Sequence, residues 1–97
     1  MTITIIAAIK VKEGKMEEAI QVLKEVVPKI KASEPGCLEY IPHTVKGTKE
    51  KNTILFYEKY ADDKALKEHM ANLGKNMAKL GPLLEPGMDM KTCVEIL

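Results

Sequence analysis

The chain has 97 residues, 45% hydrophobic and 30% charged, with 15 basic and 14 acidic side chains and a formal net charge of +1. That length allows one domain, residues 1–97, burying roughly 65% of the surface its unfolded chain exposes. Interspersed charges with no basic block, no Trp and a single Phe argue against a nucleic-acid partner, and no apolar run reaches the ~20 residues of a membrane span.

Residues 2–11 (TITIIAAIKV) are β-branched and almost continuously apolar, as in a strand covered on both faces. Glu13 and Gly14 break it. Over 15–33 the period changes: Met16, Ala19, Ile20, Leu23, Val26, Val27 and Ile30 recur every three or four residues and mark one helical face. Glu17 and Glu18 near its start and Lys31 near its end suit the helix dipole. Pro28 lacks a backbone donor and predicts a kink or restart. Glu34-Pro35-Gly36 reads as a turn, 37–44 as a second strand, 46–52 (KGTKEKN) as a polar hairpin connection and 53–60 (TILFYEKY) as a third strand.

Asp62 is placed to cap a second helix whose face carries Ala65, Leu66, His69, Met70 and Leu73. Gly74 is expected to interrupt it, with a short helical piece to Leu80 and a stop at Gly81-Pro82. Residues 88–97 alternate as a last strand, Met88, Met90, Thr92, Val94 and Ile96 on one side. The order β-α-β-β-α-β predicts an α+β, ferredoxin-like domain: a four-stranded antiparallel sheet with both helices on one face. The first strand is apolar on both sides and no third layer remains in the chain. A second copy is therefore expected over the free face, giving a homodimer.

No secretion signal opens the chain, so a cytoplasmic location with reduced thiols is expected. Cys37 and Cys93 do not form a CxxC pair and read as small buried hydrophobes. His43, His69 and the cysteines lack zinc-site spacing, and no GxGxxG, P-loop or G-x-S-x-G motif is present. No metal and no cofactor is expected.

His69 is the most informative residue. On the apolar face of its helix it is either a core histidine satisfied by a carboxylate or carbonyl, or a base in a cavity between helix and sheet. Glu58 shares a strand face with Ile54, Phe56 and Tyr60. It reads as a strand-end charge reaching solvent or a salt bridge to Lys, or else as an orienting partner of His69 or a group that contacts substrate. Tyr40, Phe56, Tyr60 and Met70 are candidate substrate contacts, with Met77, Met88 and Met90 suited to an adaptable apolar pocket. His43, near a strand end, is expected to be exposed.

Two stretches carry a family resemblance. Glu34-Pro35-Gly36-Cys37-Leu38-x-Tyr40 resembles the turn-and-strand motif of the antibiotic-biosynthesis-monooxygenase family. Phe56-Tyr57-Glu58-x-Tyr60-x-Asp62-x-x-Ala65-Leu66-x-x-His69 resembles that family's strand-to-helix signature. The resemblance implies a dimeric α+β barrel of two ferredoxin-like subunits. It also implies one of the family's activities: cofactor-independent oxygenation of quinols and phenols, haem degradation, or isomerisation of a phosphorylated metabolite. The positions that serve haem degradation hold Ala7, His69 and Lys79 here, which argues against that branch. A second family histidine is replaced near Leu73 and Gly74, and Tyr60 stands where a Trp is frequent.

The expected activity is oxidation of a small phenol- or quinol-type aromatic by O2, with His69 as base, Glu58 holding its tautomer, and Tyr40 and Tyr60 as donors to the oxyanion. A phenol of pKa near 10 and an ordinary imidazole near 6.5 differ by about 3.5 units, roughly 5 kcal/mol. Two preorganised donors at roughly 3 kcal/mol each close most of that gap. The alternatives are an isomerase using the 46–51 lysines for a phosphate group, or a non-catalytic ligand-binding or stress-response dimer.

Overall fold

Burial with a period of two organises the sheet. In the computed structural model, which describes residues 2–96, β1 (Ile3–Lys10) buries Ile3, Ile5, Ala7 and Ile9 on one face, and β3 (Thr53–Tyr60) buries Ile54, Phe56, Glu58 and Tyr60 on the same face. The two strands pair antiparallel with Ile5 opposite Glu58 and Ala7 opposite Phe56. β2 (Cys37–Thr44) pairs with the other side of β3, and β4 (Asp89–Cys93) with the other side of β1, so the strand order is β2-β3-β1-β4. A bulge between Cys37 and Glu39 shifts the alternation of β2, so that Cys37 and Tyr40, three residues apart, both turn inward.

Both helices cover this face. α1 (Met16–Ser33) buries Ala19, Leu23, Val26 and Ile30 and packs mainly on β2; α2 (Asp63–Asn76) packs on β2 and β3. The ferredoxin-like α+β architecture is thus present, with its core between one sheet face and two helices. Asp62 caps α2 as expected, its carboxylate accepting from the Ala65 N–H at 2.8 Å.

Three boundaries differ from the sequence expectation. α1 runs through Pro28 without a restart; Pro28 is exposed, so the Lys24 carbonyl that loses its intrahelical donor faces solvent. Gly74 lies inside α2, which ends at Asn76, and Gly81–Leu83 forms a single 3-10 turn. The last strand is five residues long, not ten: residues 94–96 lie beyond the ladder with β1, and Leu97 falls outside the described residues.

The turn after α1 locks the two layers together. The Cys37 N–H donates to the Glu34 carbonyl and the Ala61 N–H to the Gly36 carbonyl, both at 2.9 Å. A Cβ on Gly36 would lie 2.5 Å from Ala65 Cβ, so the start of α2 rests directly on the glycine backbone. Gly36→Ala is expected to destabilise the protein by about 1–3 kcal/mol through overpacking. Urea denaturation measures it; an unchanged midpoint would show that the turn and α2 are not in fixed contact.

Candidate active site

His69 is 1% exposed and is the one buried residue of α2. Its Nδ1 lies 2.9 Å from Glu34 Oε1. A carboxylate only accepts, so the ring donates through Nδ1–H, and in the neutral ring the lone pair then sits on Nε2. Glu34 is itself 3% exposed, and its other oxygen accepts from the Asn76 amide at 3.4 Å. The Tyr40 and Tyr60 rings flank the imidazole, with centroids at 5.3 and 5.0 Å.

Glu58 stands on the Nε2 side, its Oε1 3.8 Å from the ring nitrogen. That is beyond hydrogen-bond range, but one ligand oxygen can reach both atoms. Tyr60, two residues on and therefore on the same strand face, donates its hydroxyl to Glu58 Oε1 at 2.7 Å. Burial raises the Glu58 pKa above its usual 4.5; the Tyr60 hydrogen bond and His69 pull it back, and the charge of Glu34 pushes it up again. Burial, reinforced by the Glu58 hydrogen bond for Tyr60 and by the Glu58 charge for Tyr40, pushes both phenols above the ordinary tyrosine value, so both keep their protons. Burial first, then the charges of Glu34 and Glu58, pushes the Cys37 thiol up to about 11, which keeps it an unreactive thiol.

A cavity of about 150 Å³ lies beneath this cluster, between the sheet face and α2. Ala7, Ile9 and Phe56 line its floor, Leu73 and Met77 its roof, and among the described residues Tyr40, Glu58 and His69 supply its only polar side chains. Met70, a candidate contact, lines it from the rim and is 41% exposed. Of the candidates, His69, Glu58, Tyr40, Phe56 and Met70 therefore converge on one space. Tyr60 does not line it; its hydroxyl is committed to Glu58 from behind. Nor does Glu58 hold the His69 tautomer as expected; Glu34 does. A wider depression of about 460 Å³ between α1 and β2 includes exposed His43 and Lys24 but gathers no cluster of titratable groups. Among the described residues no group of three or more His, Cys, Asp or Glu side chains could hold a metal ion, and no helix is long and apolar enough to cross a membrane.

The profile of the antibiotic biosynthesis monooxygenase family matches residues 2–73. The chain belongs to this family. Among solved structures, one from Caulobacter crescentus, described as a candidate antibiotic biosynthesis monooxygenase, is 30% identical with a TM-score of 0.82, covering 97% of this chain and 91% of that one. A Shewanella oneidensis protein is 28% identical with a TM-score of 0.76, covering 95% and 88%. A candidate antibiotic biosynthesis monooxygenase from Bacteroides thetaiotaomicron, 21% identical with a TM-score of 0.79 over 99% and 90%, shares the fold. No curated protein matches the chain.

The two stretches that resemble the monooxygenase family are the two halves of this site. The turn supplies Glu34, Gly36 and Tyr40; the strand-to-helix segment supplies Glu58, Tyr60, Ala65 and His69. Lys79, one of the three positions compared with the haem-degrading branch, is not among the residues that line the cavity and pairs with Glu25 at 3.4 Å.

A carboxyl whose pKa is raised by the fold costs stability once it ionises. That cost is absent below the unfolded value near 4.5 and grows as pH rises through the folded value. Glu58→Gln keeps an acceptor for Tyr60 and is expected to raise Tm at pH 7, with the gain shrinking toward zero below pH 4.5. Thermal melts across pH measure it; a loss of stability at pH 7 would show that the ionised carboxylate is favoured in the folded protein.

Proposed function

We propose that this protein is a cofactor-independent monooxygenase that oxidises a small phenol- or quinol-type aromatic with O2, with His69 as the base. The observation that carries this reading is the Glu34–His69 pair: a buried imidazole that lines the cavity, with Nδ1 engaged at 2.9 Å and Nε2 on the Glu58 side at 3.8 Å, beyond hydrogen-bond range. A substrate hydroxyl near Glu58 gives its proton to Nε2. The resulting imidazolium lies between two carboxylates, Glu34 and Glu58, which stabilise its charge. The phenolate transfers an electron to O2, and the phenoxyl and superoxide combine. The substrate supplies four electrons in all; one oxygen atom enters the quinone product and the other leaves as water. Tyr40 keeps its proton and can donate to the phenolate oxygen, and the apolar walls keep bulk water from the peroxide stage.

An isomerase acting on a phosphorylated metabolite fits less well. Among the described residues no lysine lines the cavity, so a phosphate group would meet no lysine cation there. The 46–51 loop lies outside the lining, and its Lys51 pairs with Glu13 at 2.8 Å.

We also read the active form as a homodimer. The helix-free face presents Ile6, Ala8, Leu55 and Tyr57, all half-buried, and Ile41, 39% exposed, which together form an apolar patch that a second copy would cover. His69→Ala and His69→Gln are both expected to lower oxygen uptake with a phenol or quinol substrate at least about 100-fold. Sedimentation of both at micromolar concentration is expected to give the same folded dimer as the unsubstituted protein. The Gln variant retains a partner for Glu34, so a folding failure confined to Ala does not blur the result. Unchanged uptake would reject His69 as base, and a stable monomer would reject the dimer.

A further inference from the structure

The strand register gives the cavity a direction. Glu58 and Tyr40 are cross-strand neighbours on β3 and β2, under α2. The next inward row is Phe56, Ala7 and Met90, on β3, β1 and β4. α2 covers β2 and β3, and β4 lies two strands beyond β3, about 10 Å away. Polar groups therefore stand at the covered end and methionines at the open side. Met88 and Met90 on that side, and Met70 on α2, line the cavity and are 49%, 42% and 41% exposed. Between the two ends Ala7, the smallest side chain of the floor, makes the space.

A cavity of this volume has a known capacity: roughly 150 Å³ with apolar walls holds one benzene ring. One ring with its hydroxyl beside Glu58 and His69 lies over Ala7 and points its far side at the methionines. We propose that the ligand is a single-ring phenol carrying an apolar substituent opposite the hydroxyl, and that the substituent leaves through the methionine opening. A second hydroxyl at that position would sit among methionine side chains, which are weak acceptors at best, and would forgo the apolar contact an alkyl group makes there, which costs affinity. Methionine suits an exit for tails of varied shape because its side chain is unbranched and adaptable. This assignment rests on the monooxygenase reading for the orientation of the hydroxyl.

Equilibrium binding without oxygen tests it, with phenol, 4-ethylphenol, 4-butylphenol and hydroquinone as probes. Affinity is expected to rise about two- to fourfold per methylene, as burial of each CH₂ predicts. Hydroquinone is expected to bind at least tenfold more weakly than 4-ethylphenol. Met90→Ser, at an exposed position, is expected to flatten the dependence on chain length, and Ala7→Val to weaken every probe at least tenfold. A flat alkyl series, or hydroquinone binding as tightly as 4-ethylphenol, would overturn the proposal, as would Met90→Ser and Ala7→Val variants that bind like the unsubstituted protein. Admitting air separates the two readings. Graded binding without oxygen uptake rejects the oxygenase and leaves the ligand class standing; uptake that favours hydroquinone rejects the ligand class and leaves the oxygenase.

Discussion

The contact between Glu34 and His69 constrains everything around it. Each group is almost completely withdrawn from water, and they lie 35 residues apart in sequence. Removing one partner and leaving the other buried and unsatisfied costs about 1–3 kcal/mol, while an apolar replacement of both with the same shape is often neutral or better. A 97-residue domain has little stability to spare. A polar cluster kept in so small a core is therefore poorly explained by stability alone, and its position against a cavity supplies the other explanation.

The fold holds that contact from two directions. The bulge in β2 and the Pro35-Gly36 turn bring Glu34 to the end of the sheet, and the missing side chain at Gly36 lets α2 descend onto the turn. Asp62 fixes where α2 starts, and so fixes the position of His69 two turns later. From the other side, β3 presents Glu58 and Tyr60 on one face, where the hydroxyl of one occupies the carboxylate of the other. The imidazole is left with one nitrogen tied and one facing usable space. Its surroundings, two carboxylates and two protonated phenols, suit a reaction that moves a proton off a neutral ligand and holds charge briefly.

Much of this was legible in the residues, and the failures have physical causes. The inward direction of His69 followed from helical periodicity, and the shared face of Glu58 and Tyr60 from the strand period. The continuation of α1 through Pro28 was hidden because periodicity does not say whether the freed carbonyl can reach solvent. Gly74 does not break α2, because its propensity cost of about 1 kcal/mol is small beside tertiary packing. The sequence shows Glu34 only as part of a turn, since local pattern cannot show that a side chain at a helix end reaches a partner 35 residues away. Its place as the first residue of the turn motif was the one available signal. Tyr60 stands behind Glu58 rather than in the cavity lining, a distinction strand alternation cannot make because it gives a face, not which of two neighbours on that face stands in front.

The most direct test of the account is the protonation pattern of His69, read by long-range proton–nitrogen NMR correlation on uniformly nitrogen-15-labelled protein at pH 8. The neutral ring is expected to carry its proton on Nδ1, slowly exchanging and bonded to Glu34, with Nε2 unprotonated. A ring with its proton on Nε2, or one averaging rapidly between the two forms, would contradict it.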